Sequence, residues 1–274
     1  MTLKVPVPCK LTFFLARQAA VGLVVRRGPT RWAQLILWDT KKDRFQRGQW
    51  FHGRIYAERC DLSPDGTKFI YFASKHGDKR DRDMPDTWTA ISKPPYFTAL
   101  ALWPNGTTFG GGGMFMDDRR FWHGERLPLH RRFSVKGLVD VPENAYAATL
   151  DWRSLDYRLG LRLLHSGWEI LTQVEGQPLE WRKPNPAGNG ELLLDRSFSS
   201  PTYFLLFANK RDERQAFDAE WADWDQKGRL IVAHKGKLLV GKYSRHTSLR
   251  FEELADFNSD RPESIEAPEW ARRW

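Results

Sequence analysis

Four consecutive glycines, Gly110–Gly113, stand near the end of the stretch FTALALWPNGTTFGGGGMF. A glycine-rich loop holds phosphate on its backbone N–H groups when a strand precedes it and a helix N-terminus follows. Here MFMDDRRFWHGE follows, a segment that alternates and turns like a hairpin, and no Lys-Ser or Lys-Thr comes after the glycines. The run is therefore expected to serve close backbone approach rather than phosphate. GKLLVGKY comes nearer to a phosphate loop, with Gly236, Gly241 and Lys242 at the right spacing. Tyr243 then stands where a magnesium-binding hydroxyl is needed, and Lys-Leu-Leu-Val reads as a buried strand.

Other candidate chemistry fails on spacing. DWDQKG opens like a calcium loop with Asp223, Asp225 and Gly228, but Gln226 and Lys227 sit where more oxygen ligands would help, and the bidentate Glu is missing. The seven histidines, at 52, 76, 123, 130, 165, 234 and 246, form no i,i+4 pair and no HExxH. No GxSxG is present, and Asp117 and Asp118, being adjacent, would point to opposite faces of a strand. Cys9 and Cys60 are the only cysteines. They form either one bridge or two buried free thiols, and free thiols are the expectation. No cofactor, metal site or catalytic residue is expected, and whether the chain is an enzyme stays open.

The residue mixture that does suggest recognition is DDRRFWHGERLPLHRRF at 117–133, where arginines interleave with aromatics. Arg and Trp supply anchor contacts at protein interfaces, and the same mixture stacks bases and binds phosphate. Trp103, Arg119, Arg120, Trp122, Arg131 and Arg132 are the candidate binding residues, with a partner protein favoured over nucleic acid. KHGDKRDRD (75–83) alternates in sign as a solvated loop does. The stretches 75–94 and 182–190 read as long loops suited to recognition.

These residues must be carried by a framework, and composition points to strands. The chain has 274 residues, 41% apolar and 28% charged, with thirteen Trp and seventeen Phe. That excludes a disordered chain, and no run approaches the twenty apolar residues of a membrane helix. The opening MTLKVPVPCKLTFFLARQAA is too weakly apolar for a secretory signal and reads as a first strand, so a cytoplasmic protein is expected. Turn glycines recur at 66, 106, 190 and 228, between β-type runs in RCDLSPDGTKFIYFA, ALALWPNGTTFGG, PAGNGELLL and ADWDQKGRLIVAH. Asp-Gly and Asn-Gly between such runs signal hairpins. VGLVVRRGPTRWAQLILWDT and AYAATLDWRSLDYRLGLRLLHSGWEILTQV extend the pattern, giving a unit of about forty residues.

A forty-residue unit of short strands implies an all-β β-propeller, here of five or six blades of mostly four-stranded antiparallel sheets. LILWDTKKDRFQRGQW, LSPDGTKFIYF and ADWDQKGRLIVAH resemble blade strands of WD40 and TolB-like propellers, although the Gly-His that often opens a WD40 unit is absent. The ending ELADFNSDRPESIEAPEWARRW is similar to those of uncharacterised bacterial propeller-like proteins. The expected organisation is a propeller over 1–257 and an acidic tail over 258–274 packed upon it. Residues 1–60 hold twelve Lys or Arg against three acids, and 252–274 hold seven acids, so charge is expected to draw the tail to the basic first strands. The function this implies is a non-catalytic scaffold for protein–protein interaction. The alternatives are a hydrolase or lyase with a central-channel site, and nucleic-acid binding through the basic N-terminal half.

Overall fold

The computed structural model describes residues 7–75, 85–124, 127–142, 157–172, 180–195, 201–207, 210–244 and 247–274. Five sheets account for most of these residues, and their strands follow chain order. The first sheet is a meander of β1 (Lys10–Leu15), β2 (Val21–Arg27), β3 (Trp32–Asp39) and β4 (Arg44–His52). The second contains β5 (Arg54–Ile55), β6 (Asp61–Leu62), β7 (Phe69–Ser74), β8 (Thr87–Ser92) and β9 (Ala99–Pro104), with β5 and β6 both pairing with β7. The third is β10 (Gly113–Phe115), β11 (Arg120–His123) and β12 (Val139–Asp140), whose β11–β12 pair is parallel.

Helix α1 (Tyr157–His165) precedes a fourth sheet of β13 (Glu169–Thr172), β14 (Glu180–Pro184), β15 (Gly190–Asp195), β16 (Thr202–Phe207) and β17 (Lys210–Phe217). The fifth is β18 (Trp221–Trp224), β19 (Leu230–His234), β20 (Lys237–Ser244) and β21 (Thr247–Asp256). The protein is thus all-β, as its turn chemistry and aromatic content lead one to expect. Among the described residues no helix is long and apolar enough to cross a membrane.

Contacts divide the chain into two compact units, residues 14–162 with 261–274 and residues 1–13 with 163–260. In the first unit the second sheet is covered on both faces. Phe69, Tyr71, Ala73, Ala90 and Leu102 pack with Leu23, Val25 and Leu35 of the first sheet. Ile70, Ile91, Ala101 and Trp103 pack with Phe115 and Phe121 of the third and with Leu138 just before β12. Successive side chains of a strand point to opposite faces, so β7, FIYFAS, is buried at every position. Such a strand reads as a continuous apolar run for that reason.

Three of the expected hairpins share one turn. Gly66, Gly188 and Gly228 each have positive φ and donate their N–H to Ser63, Asn185 and Asp225 three residues back. The turn glycine of PAGNGELLL is therefore Gly188, since Gly190 already belongs to β15. In the first of these turns burial opposes ionisation of Asp65, but hydrogen bonds from Ser63 and Thr67 outweigh it and hold its carboxyl below the usual range. ALALWPNGTTFGG departs from expectation. Its Asn105-Gly106 turn ends β9, and the chain crosses to the third sheet instead of returning as a hairpin.

Two further expectations are corrected. Residues 157–165 are helical, because YRLGLRLLH is rich in Leu and Arg and has no β-branched residue. Gly167 at positive φ ends this helix, with Trp168 N–H returning to the Leu163 carbonyl. The start of the stretch AYAATLDWRSLDYRLGLRLLHSGWEILTQV, 145–156, lies outside the described residues. The stretch 182–190 is the β14–β15 hairpin rather than a long loop, and β8 occupies part of 75–94. Residues 76–84, with most of the alternating-charge segment, lie outside the described residues.

The glycine run is steric, as expected. A Cβ on Gly111 would enter the Phe72 ring, and one on Gly112 would collide with the Arg59 carbonyl, both glycines having positive φ. Gly112 N–H donates to Thr89 Oγ1 at 2.7 Å, and Arg59 Nη1 donates to the carbonyls of Thr108 and Gly110.

The C-terminal segment packs on the first unit through apolar and backbone contacts. Ile265, Ala267 and Ala271 cluster with Tyr96, and Trp270 meets Tyr96 edge to face. Lys93 Nζ donates to the carbonyls of Trp270 and Arg273. Glu266 and Glu269 pair locally, with Arg272 and Arg273. Gln49 is the polar hinge of this packing: its Oε1 accepts from Phe97 N–H at 2.8 Å and its Nε2 donates to the Ile265 carbonyl at 3.0 Å.

Two outcomes follow for urea unfolding. Gly106→Ala meets open space and should cost about 1–2 kcal/mol for positive φ alone; Gly112→Ala should cost at least about 3 kcal/mol, since the Arg59 carbonyl must also move. Gln49→Ala should cost about 1–3 kcal/mol by stranding its partners, whereas the exposed Gln46→Ala should stay within about 0.5 kcal/mol.

Candidate binding sites

The third sheet gathers part of the predicted recognition segment. Phe121 and His123 share one face of β11, and Trp122 occupies the other. Trp103 of β9 is buried and stacks on the His123 ring, centroids 4.8 Å apart and planes 24° apart. Trp103 and His123 line a cavity of about 380 Å³ together with Leu127, Leu129, Asp140 and Val141. Asp140 is placed there by the parallel β11–β12 pair, in which Phe121 faces Asp140.

His123 is only 3% exposed, yet neither ring nitrogen makes a hydrogen bond. Asp140 Oδ2 lies 3.0 Å from Nδ1 without completing one. A buried polar group without a hydrogen bond is costly. In a cavity this size it marks a point where an entering group gains one.

The six predicted residues do not form one patch. Trp103 and Trp122 are both buried, on β9 and on β11. Arg119 and Arg120 are exposed at the β10–β11 turn, at the far end of β11 from His123. There Asp117 accepts from both backbone N–H groups and pairs with Arg120 at 2.7 Å, and these bonds hold its carboxyl below the usual range. Arg131 and Arg132 are exposed on the loop that contributes Leu129 to the cavity. His130 just before them is buried and fixes this loop, its N–H donating to the Leu102 carbonyl and its Nδ1 accepting from Arg132 N–H.

A second cavity, of about 430 Å³, opens at the ends of β2, β3, β5 and β7. Register assembles it: Trp32 pairs with His52, Arg27 with Ala33, and Arg54 with Ser74. Directly opposite residues of an antiparallel pair project to the same face. The lining includes Arg27, Arg31, Arg54, Lys75, Trp32, Tyr56 and Ser74. The sequence signal for it was the basic excess of residues 1–60; no local motif marked it.

The remaining candidates for chemistry are engaged. Lys183 Nζ meets Asp223 at 2.6 Å, and Asp225 accepts from Lys227 N–H, Arg229 N–H and Arg229 Nε within its turn. Gly236 turns into β20, so GKLLVGKY is a strand. Among the described residues no three His, Cys, Asp or Glu converge as a metal would require. Cys9 and Cys60 are both free and buried. Burial pushes the Cys60 thiol up to about 12, and its Sγ donates to the Tyr56 carbonyl, so it is no nucleophile at neutral pH.

No protein-family model matches the chain. No curated protein matches its sequence. Among solved structures it is similar to an acylaminoacyl peptidase of Pyrococcus horikoshii, at 9% identity and a TM-score of 0.30 over 91% of this chain. The chain spans 45% of that protein's length, and at this TM-score the likeness bears on neither fold nor activity.

Ellman's reagent should find no reactive thiol in the folded protein at pH 8 and two in guanidinium chloride; fast labelling of the native state would contradict the burial of Cys9 and Cys60.

Proposed function

We propose that the chain is a β-propeller with the five sheets as blades, and that it is a non-catalytic platform for a partner protein. Three features support the propeller. Successive sheets of the first unit stack face to face, the second being apolar on both sides. The strands run in chain order within each sheet. The two chain ends also exchange: residues 1–13 belong with 163–260, where Cys9 N–H donates to Asn258 and Leu11 N–H to Glu220, and 261–274 belong with 14–162. In this reading residues 258–274 are the packed tail that completes the ring.

The docking point in this proposal is the cavity of β9, β11 and β12. The observation that carries it is the lining: Trp103, Leu127, Leu129 and Val141, with Asp140, around one buried histidine that makes no hydrogen bond. Binding pockets combine such apolar walls with a few polar points that set orientation. The occupant is an apolar side chain from an acidic segment of the partner, with Arg131 and Arg132 beside it. Charge at such a rim governs encounter rate and salt dependence more than affinity.

The His123–Asp140 pair supports a second reading, hydrolysis, because a histidine beside a carboxylate serves as a general base. One experiment separates the two. A panel of acidic peptides with central Leu, Phe or Trp should contain binders whose affinity falls at least tenfold in His123→Ala, with slower association in Arg131→Glu/Arg132→Glu. Absence of any binder, together with ester or peptide hydrolysis lost in His123→Ala, would overturn the platform in favour of the enzyme.

A further inference from the structure

The cavity at the ends of β2, β3, β5 and β7 lies apart from the docking cavity and has a different chemistry. Arg27, Arg31, Arg54 and Lys75 line it, and among the described residues no carboxylate does. Glu58 reaches Arg27 only at 3.8 Å and is itself half exposed. Two buried polar atoms at this cavity make no hydrogen bond. Ser74 is 1% exposed and its Oγ has no hydrogen-bond partner; Arg27 Nε is likewise buried and unpartnered. Native proteins rarely leave such groups unpaired, because each costs the full desolvation of a polar atom.

The walls add a second requirement. Trp32 and Tyr56 line the cavity, with Arg54 stacked on Tyr56 at 4.6 Å and His52 tilted against Trp32 at 4.8 Å. At about 430 Å³ the space matches a small organic molecule and far exceeds one oxyanion. Several arginines with a hydroxyl match a group that presents three acceptor oxygens and nearly two negative charges.

We infer that this cavity binds a phosphate monoester joined to a planar ring, a ligand of mononucleotide size. Ser74 Oγ and the Arg27, Arg31 and Arg54 guanidiniums hold the phosphate, and Trp32 and Tyr56 flank the ring. The Arg54–Ser74 pairing sets two of these groups side by side. Gly53 permits this pairing, since a Cβ there would stand 2.5 Å from the Ser74 carbonyl.

Calorimetry with the full chain tests this with AMP, adenosine, inorganic phosphate and a single-stranded oligonucleotide lacking terminal phosphate. AMP should bind at least tenfold tighter than adenosine and tighter than inorganic phosphate, and inorganic phosphate should compete with it. Ser74→Ala should weaken AMP at least fivefold. Arg31→Ala and Arg54→Ala, both at exposed positions, should do the same with an unchanged circular dichroism spectrum. Equal affinity for adenosine and AMP, or no binding of AMP at millimolar concentration, would overturn the inference. Tighter binding of the oligonucleotide, indifferent to Ser74→Ala, would also overturn it and indicate an extended nucleic-acid surface.

Discussion

Backbone approaching backbone more closely than a Cβ permits is the constraint on which the first unit depends. Gly48 lies against the Pro95 carbonyl, Gly53 against that of Ser74, Gly112 against that of Arg59, and Gly113 against that of Trp122. At each point any side chain would force the neighbouring segment away. Gly48 lets the next residue, Gln49, bond to the Pro95 carbonyl and reach Phe97 and Ile265. Gly53 sets β5 on β7, and with it the basic cavity. Gly112 brings its N–H to Thr89 and its loop to Arg59. Glycine here serves the packing of segments, and the resemblance of one run to a phosphate loop is a by-product of that requirement.

A sheet covered on both faces admits uncharged hydroxyl side chains within its central strands, Thr89 among them, while charged chemistry is displaced to strand ends and loops. β7 and β8 are buried throughout, while both cavities lie where strands terminate. Ser74 is the last residue of β7 and His123 the last of β11. Each is buried by the packing around its strand, and neither side chain makes a hydrogen bond. The same displacement explains the tail. Its acids stay exposed or pair with its own arginines, while Trp270 and Ala271 carry the contact.

Strand content and hairpin positions were legible in the sequence because turn chemistry is local: Asp65-Gly66 and Lys227-Gly228 require positive φ wherever they occur. The Asn105-Gly106 turn was misread for the same reason. A turn fixes local geometry, and whether the next strand returns or crosses to another sheet is decided by tertiary packing that Gly111 and Gly112 reveal only in three dimensions. The helix at 157–165 was missed because a forty-residue period was extended across a Leu-rich run lacking β-branched residues. Of the candidate site, Trp103 is legible in the sequence as a candidate binding residue. Its partner His123 belongs to no motif, since the carboxylate beside it arrives from β12, seventeen residues on. The basic cavity was visible only as net charge, because Arg27, Arg54 and Ser74 meet through pairing across three strands.

Both the packing around β7 and the basic cavity require one register, Arg54 opposite Ser74 and Ile55 opposite Ala73. A slip of one residue would send every side chain of β5 to the other face. Cysteine pairs test this directly, because a disulfide needs Cβ atoms within about 4.5 Å. With both native thiols buried, Arg54→Cys/Ser74→Cys should oxidise to an internal disulfide detectable by mass spectrometry, and Arg54→Cys/Ala73→Cys should stay reduced. A disulfide in the second pair and none in the first would contradict the register, and with it the origin assigned here to the cavity.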